Sequence, residues 1–550
     1  MRPISRPLAP FVRLLVLPLA AACTGSNPAD HSGTTNSGDD SQPVEHDTAP
    51  PPFDPTTDCD ALGMPSIPFV DATASPILYE TAADITLNTT DGAWNLKTEW
   101  SGCDVYLFVP DDPKQNQGLP YATWSKKKDN KTLIDTMPLN TQIFFLSSEM
   151  GTDSRQAALD AMKADVDAQL DTYDADTKAW KSRHIHYVTD KTTKADGWLG
   201  EALTSPGVGA GIDRMQRVRE IGSMADPTRY DSSISWFDSN IVMVANEAVY
   251  YNFEAARQEK LDAEDATIVP AWQSQEVYGS ADIDITLPDA ATMATFDTLE
   301  LDMTKLCVGD GEYGACPAWD YLDYVYLCDA ADNTVCNTEL GRWITTYWRE
   351  GRWVTDVSPL LGLLKDGGTR RLRIQNSNDY VTTLNLRLSD SGTETDHPSE
   401  AQVIYTGGYV SATFNDRDPL SIDVPADVSR VALGVVMTGH GNPGCMEFCG
   451  TEHTFNVNGT DNVFSFPITD QSYGCMDQIG EGTVPNQYGT WWYGRDGWCP
   501  GKQVDMEVTD ITDQVLFGQT NTFNYTFANL DGTLDDGGNI VLNAWLIYYR

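Results

Sequence analysis

The rhythm of apolar and polar positions changes near residue 271. Between about 59 and 271, short apolar runs (Val105 to Val109, Ile143 to Leu146, His184 to Val188 and Ile241 to Val244) alternate with stretches of helical character at Ser154 to Leu170 and Gly211 to Ile221. Strand-like runs separated by helices predict an α/β domain over 59–271. Beyond Ala271 the period becomes two, as in Ala281 to Pro288 and Leu299 to Met303, with Gly, Pro, Asn and Asp between segments. Arg370 to Ile374, Leu384 to Leu388, Ala401 to Thr406, Val431 to Met437 and Ile540 to Tyr549 continue the pattern, and Pro359 to Lys365 is the one helical candidate. This alternation is the signature of antiparallel sandwiches with one face of each sheet buried. About 280 residues is too many for one small sandwich, so a division is expected near residue 405, giving units at 272–405 and 406–550. The expected fold class is mainly β, two adjacent antiparallel sandwiches behind an α/β domain.

The N-terminus follows different rules. Arg2, Arg6 and Arg13 precede the apolar run Leu14 to Ala22, which is too short to span a bilayer and reads as a secretory signal over residues 1–23. Its end, Leu19-Ala20-Ala21-Ala22-Cys23, resembles a bacterial lipobox, in which the Cys23 sulfur receives a lipid; an ordinary signal cut at an Ala-x-Ala pattern is the alternative. Residues 24–58 are Ser, Thr, Asn, Asp, Gly and Pro with few large apolar groups, which predicts a disordered stalk. A flexible coil of about 35 residues reaches roughly 30–35 Å. The expected location is the bacterial cell envelope, at the outer membrane or cell surface, with a lipid as the sole attachment to membrane.

Eleven cysteines are present, and setting Cys23 aside leaves an even ten, which suits disulfides in an oxidising compartment. Local spacing suggests Cys307 with Cys316, Cys328 with Cys336, Cys445 with Cys449 and Cys475 with Cys499, leaving Cys59 for Cys103. A zinc alternative exists, because Cys445, Cys449 and His453 are spaced by four as on a helix face. Gly441 to Gly444 followed by the alternating Thr454 to Asn458 favours turn then strand, and so the disulfide.

Net charge is −44, from 80 acidic residues against 36 Lys and Arg. Such a chain repels phosphate backbones and anionic headgroups, so nucleic acid is excluded as a partner. There is no Gly-x-Ser-x-Gly elbow, no His-Glu-x-x-His and no P-loop. His184-Ile185-His186 reads as a half-exposed strand end, Gly207 to Gly211 as a loop before a helix, and Asp531 to Gly538 as a hairpin turn without EF-hand spacing. Neither metal nor cofactor is expected.

Three segments beside cysteines carry a charged group next to an aromatic: Cys316-Pro317-Ala318-Trp319-Asp320-Tyr321, Gly444-Cys445-Met446-Glu447-Phe448-Cys449 and Gly494-Arg495-Asp496-Gly497-Trp498-Cys499. With Gly341-Arg342-Trp343-Ile344-Thr345-Thr346-Tyr347-Trp348 between them, their order and spacing over residues 272–550 resemble the peptide-N-glycosidase F family. The resemblance implies two eight-stranded jelly rolls with the active site in the cleft between them. It implies an amidase that cuts the bond between asparagine and N-acetylglucosamine in N-linked glycoproteins or glycopeptides, working as a monomer. Residue by residue, the family's essential carboxylate falls on Asp320, the glutamate inside the short cysteine bridge on Glu447 and the arginine of the last motif on Arg495. Trp319, Tyr347, Trp348 and Trp498 fall where sugar rings would be met. The family's third active-site glutamate falls on Ser377, with Asp379 two residues on as the substitute, and Phe448 and His440 stand where the family has tryptophan.

Two other readings use the same residues. A non-catalytic glycan-binding or adhesion lipoprotein on the same scaffold is the alternative, with Ser377 marking lost catalysis. A copper oxygenase also uses paired jelly rolls but needs several His or Met ligands, and only His397, His440 and His453 lie in that half.

Overall fold

The computed structural model describes residues 55–111, 128–203, 209–392, 397–410, 415–441, 447–530, 532 and 539–550. The proposed signal, Cys23 and most of the proposed stalk lie outside them, as do Cys445 and most of Asp531 to Gly538. Among the described residues no helix is long and apolar enough to cross a membrane.

The α/β region is built on one seven-stranded sheet. Its centre is parallel: Val105–Asp111 pairs with Thr141–Ser147, which pairs with Ile185–Val188. Tyr106 to Val109 and Ile143 to Leu146 are buried throughout, as strands covered on both faces must be. Helices Asn130–Thr136, Thr152–Leu170 and Ala175–Arg183 make the crossovers.

Two expectations fail here. Gly211 to Ile221 is a hairpin, Gly209–Ile212 against Val218–Ile221. The Asp213 carboxylate accepts from the Met215 and Arg217 backbone N–H groups at 2.9 and 3.0 Å, and Gln216 sits at φ +58°, so the segment turns where a helix would continue. The adjoining glycines serve close packing and not an open loop, since a Cβ on Gly209 would lie 2.5 Å from the Phe108 carbonyl. Ile241–Val244 is a 3₁₀ turn and not a strand, capped by the Asn240 side chain on the Val242 N–H. It leads into Ala245–Ala263, a 19-residue helix the apolar pattern does not announce.

The first sandwich is organised around Gly367–Ser389, a 23-residue strand that unites the two short strands expected at 370–374 and 384–388. It pairs with Gln275–Asp289 on one side, and with Leu322–Cys328 and Thr298–Leu306 on the other. Thr267–Pro270 also joins this sheet, and Pro359 to Lys365 lies within a 3₁₀ segment, Ser358–Leu364.

The second sandwich has two four-stranded sheets. One holds Pro398–Val410, Asn539–Tyr549, Arg430–His440 and Glu507–Asp510; the other holds Leu420–Asp423, Thr520–Asn529, Thr451–Val457 and Thr460–Ser465. Position 405 therefore lies inside a strand of this sandwich.

Period two explains how the sandwiches meet. Along Asn539–Tyr549, Leu542, Ala544, Leu546 and Tyr548 enter the core between the two sheets. Trp545, Ile547 and Tyr549 point the other way and join the first sandwich's core with Trp343 and Trp353. Burial of a side chain this size stabilises by roughly 1.5–3 kcal/mol, so one strand serves two cores. The fully buried Arg342 crosses the seam, donating to Thr438 Oγ1 and the Val541 carbonyl at 2.8 Å each. The core of the first sandwich also runs without a break into the α/β region, through Tyr251, Val244 and Met162.

Among the described residues four disulfides are formed: Cys59–Cys103, Cys307–Cys316, Cys328–Cys336 and Cys475–Cys499. Cys449 is also disulfide-bonded, which removes the thiolate the zinc alternative needs. His453 is on a strand, held between Thr451 and Tyr525. Nine disulfide-bonded cysteines among the described residues suit an oxidising compartment.

Candidate active site

Asp320 lies in the segment between Cys316 and the strand Leu322–Cys328. That segment is pinned by the next hairpin: Thr345 Oγ1 donates to the Trp319 carbonyl at 2.7 Å, the Thr345 and Tyr321 backbones bond at 2.9 Å, and the Trp348 N–H donates to the Pro317 carbonyl at 2.9 Å. Trp348 pays for this with φ +60°, a conformation costly for a bulky residue and characteristic of functional loops.

Arg495 lies in a tight loop closed by an Arg495–Trp498 bridge. The loop requires glycine at its apex: Gly497 has φ +79°, and a Cβ there would lie 2.6 Å from the Met437 carbonyl. Glu447 is tied to the same loop by the Asp496 N–H, which donates to its carbonyl at 2.9 Å.

These three residues, far apart in the chain, meet. The Arg495 guanidinium, fully buried, places Nη2 3.6 Å from Asp320 Oδ2 and donates from Nε to Glu447 Oε1 at 3.2 Å. Its other contacts are to backbone: Nη1 donates to the Tyr493 carbonyl at 2.9 Å and Nη2 to the Thr490 carbonyl at 3.3 Å. The Tyr347 hydroxyl accepts from Nη2 at 3.5 Å and donates to Asp320. The carboxylates reach water, Asp320 with 13% and Glu447 with 23% of the side chain exposed, over a cation that does not.

The electrostatics follow from that arrangement. Burial raises Asp320 above the ordinary aspartate value, opposed by Arg495 and the Tyr347 hydrogen bond. Burial likewise raises Glu447, opposed by Arg495 and reinforced by the charge of Asp320. Burial and the charge of Asp320 raise the Tyr347 phenol, opposed by Arg495, and so hold it protonated. A carboxyl pair raised by burial about one fixed cation is equipped for proton transfer.

The expected sugar-facing residues divide into two groups. Trp319 is 59% exposed and offers a free ring face. Trp348 is half-buried, in ring contact with Tyr313 at 5.4 Å. Tyr347 and Trp498 are buried. Trp498 is a support, stacked on His440 at 5.2 Å, covered by the Arg495 guanidinium at 5.0 Å and donating its indole N–H to the Gly439 carbonyl. Asp379 is exposed, and among the described residues no hydrogen bond or ion pair joins it to the cluster. Ser377 is exposed and bonded locally, its N–H on Asp323 at 2.7 Å and its hydroxyl on the Leu322 carbonyl at 2.8 Å.

Two apolar surfaces were not anticipated as binding faces. Phe448, 46% exposed, lies 5.1 Å from the Arg495 guanidinium. Tyr313, 40% exposed, sits on the Cys307–Cys316 loop against Trp348 and Tyr488. The one sequence cue to Tyr313 is the glycine-rich disulfide loop around it. The grouping of Cys307, Cys316 and Glu350 is no metal site, because the two sulfurs are bonded to each other.

The site is thus an arginine between two carboxylates, drawn from loops of both β-sandwiches. Residues 409–547 match the family model described as Peptide-N-glycosidase F, C terminal. Over 115 residues the chain is 29% identical to the peptide-N(4)-(N-acetyl-β-D-glucosaminyl)asparagine amidase F of Elizabethkingia miricola, covering 20% of this chain and 30% of that protein. The aligned part thus spans under a third of that relative. Among solved structures, one of recombinant peptide:N-glycanase F is 21% identical with a TM-score of 0.42, covering 52% of this chain and 96% of that one. PNGF-II is 11% identical with a TM-score of 0.41, covering 62% and 74%.

Proposed function

We propose that this chain is an amidase hydrolysing the amide between an asparagine side chain and N-acetylglucosamine in N-linked glycoproteins or glycopeptides. The observation that carries the reading is the Arg495 cluster, a shielded guanidinium 3.6 Å from Asp320 and 3.2 Å from Glu447 with both carboxylates open to water.

The reaction needs a base to take a proton from water, a cation at the oxygen of the tetrahedral intermediate, and a proton for the departing glycosylamine nitrogen. Asp320 is the base, made more basic by burial and kept ionised by Arg495. Arg495 is the fixed cation, oriented before substrate arrives by Tyr493, Thr490 and Glu447. Glu447 holds Arg495 and passes a proton toward the leaving nitrogen. The exposed faces of Trp319 and Phe448 receive sugar rings, with few polar groups setting their orientation. We further propose division of the chain near the bounds 59–271, 272–405 and 406–550, the last moved back to take in the strand Pro398–Val410, with Cys23 lipidated and residues 24–58 as the tether.

Incubation with a denatured N-glycoprotein tests the reading. Loss of the whole glycan with conversion of its asparagine to aspartate is expected, and Asp320→Asn is expected to stop it while keeping the fold. A glycan left in place by folded wild-type protein overturns the reading.

One observation favours a second reading. Ser377 occupies the third glutamate's position with its hydrogen bonds satisfied locally, and among the described residues no hydrogen bond or ion pair joins exposed Asp379 to the cluster. A glycan-binding module is that reading, and it predicts saturable binding of the same glycopeptide without turnover.

A further inference from the structure

The loops that carry the candidate site are anchored outside both sandwiches. Residues 345–350 supply Tyr347 and Trp348, and residues 485–490 supply the Thr490 carbonyl that fixes Arg495. The loops are joined to each other, since the Tyr347 N–H donates to Gln487 Oε1 at 2.9 Å. Both then reach one carboxylate of the α/β region.

That carboxylate is Glu247, fully buried in the first turn of Ala245–Ala263. Its Oε1 accepts from Arg349 Nη1 at 2.7 Å, from Asn486 Nδ2 at 3.1 Å and from the Gly222 N–H at 3.1 Å. Arg349, two residues beyond Tyr347, also donates to Glu312 Oε2 at 2.7 Å, to the Pro485 carbonyl at 2.7 Å and to the Glu220 carbonyl at 2.8 Å. Asn486, held at φ +49°, donates to the Met243 carbonyl at 2.8 Å and accepts from Asn246. The approach is close enough to demand glycine at 222, where a Cβ would lie 2.3 Å from the Asn486 carbonyl and 3.0 Å from Arg349 Cδ.

We infer that the α/β region is part of the catalytic unit, and that Glu247 is a positioning residue which, through Arg349 and Asn486, sets the two loops holding Tyr347 and Arg495. The inference rests on the amidase reading for its effect on turnover. Its structural core stands on the contacts alone. Removing the Glu247 side chain takes away the one acceptor shared by Arg349, Asn486 and the Gly222 N–H and leaves buried donors unpaired, so the loops around them must shift. Small displacements of positioned groups are costly in rate.

The test uses the full chain with Glu247→Ala and Glu247→Gln. In the Gln variant the retained oxygen can keep the three bonds, because Glu247 Oε2 has no partner for the new amide group to displace. Glu247→Ala is expected to lower kcat about tenfold or more with a smaller change in KM, and to speed amide hydrogen exchange at 345–350 and 485–490 while the sandwich strands stay protected. Glu247→Gln is expected to restore most of both. Wild-type kcat and wild-type exchange in Glu247→Ala overturn the inference, as does loosening spread evenly over the whole chain. If wild-type protein releases no glycan, exchange alone decides the positioning role, and only the amidase reading falls.

Discussion

Arg495 and Arg349 are both buried guanidiniums between two carboxylates, yet one pair of carboxylates is open and the other sealed. At Arg495 the partners lie 3.6 and 3.2 Å away and keep 13% and 23% of their side chains exposed. At Arg349 both partners lie 2.7 Å away, with Glu247 fully buried and Glu312 at 6%. Longer contacts with water access leave hydrogen-bonding capacity for an incoming ligand, as unliganded sites commonly do. Short contacts without water spend that capacity on geometry. The same chemical group is thus reagent in one place and fastener in the other, and solvent access separates the roles.

Sealing also changes titration. Burial pushes Glu312 up to about 8 and Glu350 up to about 7, although Arg349 opposes both. Each keeps its proton in the folded chain at a pH where the unfolded chain has released it. Their effect is that stability falls as pH rises from the ordinary glutamate value toward about 8.

The largest expected effect breaks the open site. Arg495→Ala should reduce turnover about a thousandfold, the scale for removing a group that stabilises an oxyanion. Its stability cost by denaturant titration should stay under about 2 kcal/mol, because Asp320 and Glu447 can hydrate. Arg349→Ala should reverse the balance, costing about 3–5 kcal/mol in the same titration, since it takes the buried cation and its shared donors from two sealed acids. Equal stability losses at the two arginines would erase the distinction.

Asp496 sharpens it from the other side. This residue follows Arg495 but turns into the second sandwich, where Thr451 Oγ1 donates to it at 2.6 Å and burial pushes it up to about 8. Because it is protonated when folded and ionised when unfolded, Asp496→Asn should stabilise increasingly as pH rises from the ordinary aspartate value toward about 8, and by roughly 2–3 kcal/mol more near pH 9 than at about pH 6, read as the shift in unfolding midpoint. Equal effects at both pH values would contradict its assignment as a sealed neutral acid. The smallest effect belongs to the rim: Trp319→Ala should weaken glycopeptide binding by about 1 kcal/mol without moving the melting temperature.

What the sequence reveals tracks how local each signal is. Both sandwiches are visible in period-two segments, and the chemistry of Asp320, Glu447 and Arg495 in short motifs beside cysteines, because each motif is held by its own loop. The hairpin at Gly209–Ile221 is hidden because its determinant, Asp213 accepting from two backbone N–H groups, is a turn written in a stretch of helical spacing. Helix Ala245–Ala263 is hidden because two of its inward positions are Glu247 and Glu254, whose partners Arg349 and Arg219 lie elsewhere in the chain. The Glu247–Arg349 contact spans 102 residues and leaves no local trace. Trp498 looked like a sugar-facing ring because aromatic-beside-charge is a binding signature, but a tryptophan beneath a guanidinium fits the same words.

The central claim is that the Arg495 cluster directs water onto an asparagine-linked sugar amide. Incubating wild-type protein with a defined N-glycopeptide in water enriched in heavy oxygen tests it most directly. The claim predicts that the glycan leaves intact and that one heavy oxygen appears in the new aspartate carboxyl, with neither event in Asp320→Asn. A glycopeptide that binds and is recovered unchanged from folded wild-type protein would contradict it.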